Sequence, residues 1–193
     1  MSVAYAGIDP GLSGAVAIIS PDGTVRVWDM PVIEMQIKKR AKTGGTKMGA
    51  KNIPDEHQMV TILEGLLAST QYAATSVHVT LEKVNAMPSI DGGRRTMGAT
   101  SMFNFGFGYG LWCMALTALK LSHERVHPAT WKAAVLRGTN KDDGAVAQVA
   151  GQLYPAANHL LRGPRGGLMI GRVDALLIAH YGKVMGETPI PIS

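Results

Sequence analysis

Three short apolar runs at the start of the chain, each closed by a turn signal, constrain the fold more than any other feature. Val3 to Ile8, Ala15 to Ile19 and Thr24 to Trp28 have strand length. Asp9-Pro10-Gly11 and Pro21-Asp22-Gly23 lie between them, and this grammar predicts an antiparallel meander. Asp9 stands before any Lys or Arg, so the N-terminus lacks the basic-then-apolar order of a signal peptide and secretion is not expected.

Beyond the meander, Lys38 to Lys51 carries five lysines, Arg40 and three glycines with no acid, and reads as a mobile basic loop at about 36–53. Pro54-Asp55-Glu56 opens a helix with Met59, Ile62, Leu63, Leu66 and Leu67 at helical spacing. Val77 to Leu81 reads as a buried strand ending at Glu82. Leu111, Trp112, Ala115, Leu116 and Leu119 continue as a core helix, and a short strand follows near Arg125-Val126. Helices are expected from Pro128, from about Lys141 to Leu153, and from Arg172 to Tyr181, with Gly163 to Gly167 as a flexible connection. The order of strands and helices predicts a single α/β domain over 1–193, with a mixed sheet flanked by helices.

Composition narrows the class. Hydrophobic residues make up 46% of the 193 positions and charged ones 17%, enough to fill a core. A lone cysteine, Cys113, excludes an internal disulfide framework and any cysteine-based zinc cluster, and points to a reducing cytoplasmic compartment. Thr96 to Leu119 is uncharged for 24 residues, but its glycines and Asn104 break the apolar run, so it reads as a buried helix and no membrane partner is expected. The 19 Lys and Arg against 14 Asp and Glu leave a net charge of +5, which points to an acidic partner such as nucleic acid. The six histidines show no metal-ligand spacing.

Three acids occupy chemically suggestive places: Asp9 and Glu82 at strand ends, Asp174 at the start of the last helix. Each has a plain alternative, as a turn residue, an exposed pair with Lys83 and a helix cap respectively. Together they offer hard oxygen ligands of the kind divalent cations need, and paired cations can grip both oxygens of a phosphodiester displacement.

Gly7-Ile8-Asp9-Pro10-Gly11-Leu12-Ser13-Gly14-Ala15, Leu81-Glu82-Lys83 and Gly171-Arg172-Val173-Asp174-Ala175-Leu176-Leu177-Ile178-Ala179 resemble the RuvC Holliday-junction resolvases of the RNase H-like superfamily. Phe105-Gly106-Phe107-Gly108-Tyr109-Gly110, Pro128-Ala129-Thr130-Trp131-Lys132 and Leu153-Tyr154-Pro155 are similar to segments of its phage-type and plant chloroplast branch. The resemblance implies an RNase H-like five-stranded mixed sheet, three antiparallel strands then parallel ones. It also implies a homodimeric endonuclease that nicks two opposing strands of a four-way DNA junction, with water as nucleophile and no nucleotide cofactor. Two Mg²⁺ or Mn²⁺ ions per site are implied, with Asp9 bridging them and Glu82 and Asp174 each holding one. Lys141 would stabilise charge at the scissile phosphate.

The chain departs from the family pattern at two places. A fourth ligand, Asp or His, is expected three or four residues before the helix acid, where Gly171 and Ile170 stand. Asp142 and Asp143 are possible substitutes, although helix-start acids serve equally as caps. An aromatic wedge is expected three residues after the second acid, where Asn85 stands, which leaves Met87 or Ile90 as candidates.

The expected phosphate-contacting surface comprises Lys38, Lys39, Arg40, Lys42, Arg94, Arg95, Lys132, Lys141, Arg162, Arg165 and Arg172. Phe103, Phe105, Phe107 and Tyr109 alternate like a stacking strip but read as core packing at a helix entrance. His127 and His180 read as structural. Two other functions compete: a phosphotransferase of the actin and hexokinase type, which resembles the same Asp9-Pro10-Gly11 hairpin but needs about twice this length, and a junction-binding protein with weak or no cleavage.

Overall fold

The computed structural model describes residues 2–40, 44–71, 75–85, 98–140 and 142–187. Strands β1 (Ser2–Asp9), β2 (Ala15–Ile19) and β3 (Val25–Asp29) form the expected meander. A second hairpin, β4 (Val32–Arg40) and β5 (Thr46–Pro54), leads into α1 (Glu56–Gln71). Then come β6 (Thr75–Glu82), α2 (Ala99–Ala118), β7 (Ser122–Val126), α3 (Pro128–Val135), α4 (Asp143–Leu153), a 3-10 turn at Pro155–Leu161 and α5 (Ile170–Glu187). Among the described residues no helix is long and apolar enough to cross a membrane.

The main sheet runs β3-β2-β1-β6-β7, antiparallel across the meander and parallel from β1 outward. That is the mixed five-stranded order the family resemblance implies. Side chains alternate across it with period two. Ala4, Ala6, Ile8, Val77, Val79 and Leu81 pack beneath α1 and α2, with Trp112 and Leu116 fully buried among them. The opposite face belongs to α3, α4 and α5, whose Trp131, Val173, Leu176 and Leu177 bury against Ala15, Ala17 and Ile19. Asp55 begins α1 by accepting a 3.0 Å hydrogen bond from the Gln58 N–H, as its place before the helix predicts.

The described parts of the basic segment are strand. Lys38 to Arg40 and Thr46 to Lys51 lie in the ribbon β4–β5, whose register pairs Lys39 with Lys47 and Arg40 with Thr46, and Gly44 and Gly45 before β5 take φ of 82° and 89°. The alternation Ile33, Met35, Ile37 against Glu34, Gln36, Lys38 carries the strand signal; the weight of lysine and glycine hides it. Helix α2 also departs from expectation, because its entrance is not core. Phe103 is 72% exposed, Phe107 47% and Met114 67%, and the two phenylalanine rings stack at 6.5 Å on the outer surface.

Helix α5 lies almost in backbone contact with β1. A Cβ at Gly7 would fall 2.2 Å from the Ala175 carbonyl oxygen and 2.3 Å from the Ala179 nitrogen. Gly7→Ala therefore has to push a fully packed helix off the sheet. Urea denaturation should show a loss on the order of 3 kcal/mol, and an alanine variant of unchanged stability would refute this close packing.

Candidate active site

Strand register and helix placement build one acidic pocket. Pairing of Ile8 with Leu81 sets Asp9 and Glu82 side by side at the carboxyl ends of adjacent parallel strands, where open α/β sheets collect ligands. Alternation points both toward α5, since Ile8 and Leu81 belong to the opposite core. The close approach at Gly7 then lowers the first turns of α5, and with them Asp174, onto the same strand ends.

Each carboxylate is half-buried and each has a donor. The Gly11 N–H donates to Asp9 Oδ1 at 3.1 Å, the Trp131 indole Nε1 donates to Glu82 Oε1 at 2.8 Å, and the Lys132 ammonium stands 3.6 Å from Asp174 Oδ2. Burial nonetheless pushes all three carboxyl groups above the usual range. Asp9 is raised by desolvation, offset by Gly11 and Lys132. Glu82 is raised by desolvation and by the charges of Asp9 and Asp174. Asp174 is raised by desolvation, with Asp9 and Asp143 adding to the effect, to about 6. The acids therefore feel one another's charge across the pocket.

They are not drawn into one coordination shell: among the described residues no group of three His, Cys, Asp or Glu side chains is close enough to hold a metal ion. The donor type nonetheless suits a hard divalent cation: all three acids offer carboxylate oxygens, and burial disfavours each as an anion. Position 171 cannot contribute a further ligand. A Cβ there would fall 2.1 Å from the Ser13 carbonyl oxygen and 2.6 Å from the Gly14 Cα, so the start of α5 closes directly onto the β1–β2 turn.

Other expected residues are placed as follows. Asp142 caps α4, accepting from the Ala145 N–H at 2.9 Å, whereas Asp143 on the exposed first turn adds to the field on Asp174. Asn85 is exposed, 3.1 Å from His127 Nδ1. His180 pairs with the Tyr154 hydroxyl at 2.8 Å, in keeping with a structural role. Lys38, Lys39, Arg40, Arg162 and Arg165 are exposed. Arg172 bonds both oxygens of Asp29 at 2.5 and 2.6 Å and the carbonyls of Leu160 and Arg162, so its donors fasten α5 to β3. Lys42, Met87, Ile90, Arg94, Arg95 and Lys141 lie outside the described residues.

Sequence reasoning missed Trp131 as the partner of Glu82 and the position of Lys132 inside the acidic pocket. The segment Trp131-Lys132 was the available signal. A cleft of about 860 Å³ beside Asp9, lined by Leu12, Ser13, Lys51, Asn52, Ser101, Asn104 and Phe105 among others, was also not foreseen.

No family model matches the chain, and no curated protein matches it. Among solved structures, it is similar to Thermus thermophilus RuvC, with 14% identity over 95% of this chain and 96% of that one and a TM-score of 0.44. It is also similar to T. thermophilus RuvC in complex with Holliday junction substrate, with 12% identity over the same shares and a TM-score of 0.47.

The raised carboxyl of Asp174 has a consequence for stability. The folded chain holds this proton up to about pH 6, whereas the unfolded chain loses it near 3.8, the ordinary value for aspartate. The stability it contributes is full below the lower value and lost as pH rises through the upper one. Asp174→Asn should therefore stabilise the metal-free protein by roughly 2 to 3 kcal/mol at pH 8 and by little at pH 4, as read by urea denaturation in chelator. Equal effects at both pH values would contradict the burial argument.

Proposed function

We propose that the chain is a divalent-metal-dependent endonuclease that cuts four-way DNA junctions in pairs of opposed strands, acting as a homodimer. The observation that carries this reading is the convergence of Asp9, Glu82 and Asp174, each half-buried and each raised by desolvation, at one end of a mixed sheet in a chain of net charge +5. When bound, Mg²⁺ or Mn²⁺ would activate a water and neutralise charge on the scissile phosphate. Asp9, Glu82 and Asp174 would hold it. The Gly11 N–H and the Trp131 indole keep Asp9 and Glu82 oriented before substrate arrives. Neither a nucleotide nor a covalent enzyme intermediate is required, and the single cysteine suits a reducing, cytoplasmic setting.

The ribbon β4–β5 supports contact with a polyanion. Lys39 and Lys47 stand directly opposite one another, an arrangement that costs stability unless an anion relieves it, and Lys39 turns aside to donate to the Ala50 carbonyl at 2.7 Å. A two-stranded ribbon also fits the major groove of a duplex arm. Arg162 and Arg165 extend the basic surface, and Lys141, Lys42, Arg94 and Arg95 are proposed for it on sequence grounds.

Helix α2 supplies the surface we assign to the dimer. Phe103, Phe107, Gly110 and Met114 recur at spacings of four, three and four on one exposed face, and a Cβ at Gly106 or Gly110 would meet nothing. A second copy related by a two-fold axis buries the same face on both sides, and a two-fold enzyme on a two-fold junction presents one site to each equivalent strand. Phe107→Glu should convert the dimer to monomer in analytical ultracentrifugation while leaving the far-ultraviolet circular dichroism unchanged. A variant that stays dimeric would place the interface elsewhere.

The decisive test offers labelled four-way junction, linear duplex and fork to the protein in Mg²⁺ and in Mn²⁺. Paired symmetric nicks in the junction are expected, falling on the order of 10³-fold in Asp9→Asn. Tight junction binding with no nick in either metal would replace this reading with that of a junction-binding protein.

A further inference from the structure

We propose that the cleft beside Asp9 takes up one unpaired nucleotide of a DNA strand, its base stacked on Phe105 and its phosphate held by Lys51 and Asn104. The inference rests on the reading of the chain as a protein that works on DNA, and it adds the place where a strand leaves its duplex.

Three observations support it. The cleft, of about 860 Å³, has the size of a ligand pocket and is walled by the β1–β2 turn, by β5 and by the first turns of α2. Gly108, which is buried, seats the helical wall: a Cβ there would meet Pro54 Cγ at 3.7 Å and the Pro10 carbonyl oxygen at 3.8 Å. Ser101, Asn104 and Phe105 lie seven, four and three residues before it, on one stripe of the helix, and all three line the cleft.

Phe105 also stands next to the strand-end acid. A Cβ on Gly11 would lie 3.4 Å from Asp9 Oδ1 and 3.9 Å from Phe105 Cε2, so carboxylate and ring flank the same spot. The ring is half-buried there, unlike the exposed rings of Phe103 and Phe107.

Lys51 has charge to spare. It is half-buried, its ammonium donates to the Asn104 amide oxygen at 3.4 Å, and among the described residues it makes no ion pair. An ammonium only donates, so the amide oxygen faces it and the Asn104 NH₂ is left as a further donor. Two donors side by side, one of them charged, suit the oxygens of a phosphate.

An aromatic face for the base, neutral Asn52 and Ser101 for its edge and a cation for its phosphate are together the requirements of a nucleotide. A base inside a duplex is covered on both faces and paired at its edge, so only an unpaired one can offer a face to Phe105. Neutral side chains that both donate and accept meet any base edge, which makes the cleft tolerant of sequence.

The test measures binding of the full chain, in chelator, to a labelled oligothymidylate of about a dozen nucleotides and to an abasic strand of the same length, by fluorescence anisotropy. Equal charge on the two strands cancels the pull of the basic ribbon. Wild type should prefer the thymidylate about tenfold; Phe105→Tyr should keep that preference and Phe105→Leu should lose it. Lys51→Met should weaken both strands alike and lower the slope of log affinity against log salt by about 0.7, the share of one phosphate. The inference is overturned by a wild type that shows no preference, by a preference that survives Phe105→Leu, or by an unchanged salt slope in Lys51→Met. If Phe107→Leu removes the preference and Phe105→Leu does not, bases stack on the outer face and the inference also fails. Because no cleavage is read, the two proposals separate: the expected binding without any nick in the junction would remove the endonuclease reading alone, and paired nicks without base preference would remove the cleft alone.

Discussion

Contact between helix α5 and the central strands, with glycine as the spacer, is the constraint on which the rest of the molecule depends. At Gly7 a Cβ would collide with the backbone of Ala175 and Ala179, at Gly171 with Ser13 and Gly14, and at Gly182 with Thr80 at 2.3 Å. Three glycines along one seam let a helix rest on strands at a distance no larger residue permits. The seam fixes α5 in rotation as well as height. A helix free to roll would carry Asp174 away from Asp9 and Glu82, and the pocket would separate into three unrelated surface acids.

Bringing the acids together carries a cost, visible in the upward displacement of all three carboxyl groups. The fold bears it through a short helix that serves two acids at once. In α3, Trp131 donates to Glu82 and its neighbour Lys132 faces Asp174. Asp9 relies on its own turn, where Pro10 and Gly11 bend the chain so that a backbone N–H reaches back to the carboxylate. One neutral donor on the backbone, one neutral donor on an indole and one full charge are thus spread over three anions. The remaining imbalance is a standing preference for a cation, and active sites commonly hold such destabilised groups at the expense of the fold.

What was readable in the sequence divides along the same physical line. Strand ends and helix starts leave local marks, so Asp9 after an apolar run, Glu82 at the end of another and Asp174 before Ala175-Leu176-Leu177 could each be placed, and the sheet order followed from the meander and the later strands. Tertiary partnerships leave none. Nothing local separates Arg172, which fastens α5 to Asp29, from Arg165, which is exposed, or marks Lys132 as facing a carboxylate 42 positions away. The β4–β5 ribbon was hidden for another reason. Its strands pair chiefly with each other, so they need no buried apolar face, and lysine-rich alternation resembles a solvated loop. Helix α2 misled in the opposite direction, because a helix apolar on every side reads as buried when one of its faces is in fact bare in the single chain.

The positive charge of the chain is therefore less uniform in purpose than a net value of +5 suggests. Arg172 is engaged with Asp29 and Lys132 faces Asp174, so neither stands as an unpaired surface cation. The exposed cations among the described residues include Lys38, Lys39, Arg40 and Lys47 on the ribbon and Arg162 and Arg165 on the turn before α5, with Arg26, Lys83, Lys120, Arg125 and Arg137 elsewhere. These are different residues from the ones that meet the acids, while Lys51 and Asp9 line one cleft. Such a division has a physical logic. Long-range attraction needs exposed charge that releases counterions, whereas chemistry at a phosphate needs few charges held rigidly where solvent is thin. A chain that put its lysines uniformly over the surface would leave its carboxylates uncompensated, and one that gathered them all at the pocket would neutralise them outright.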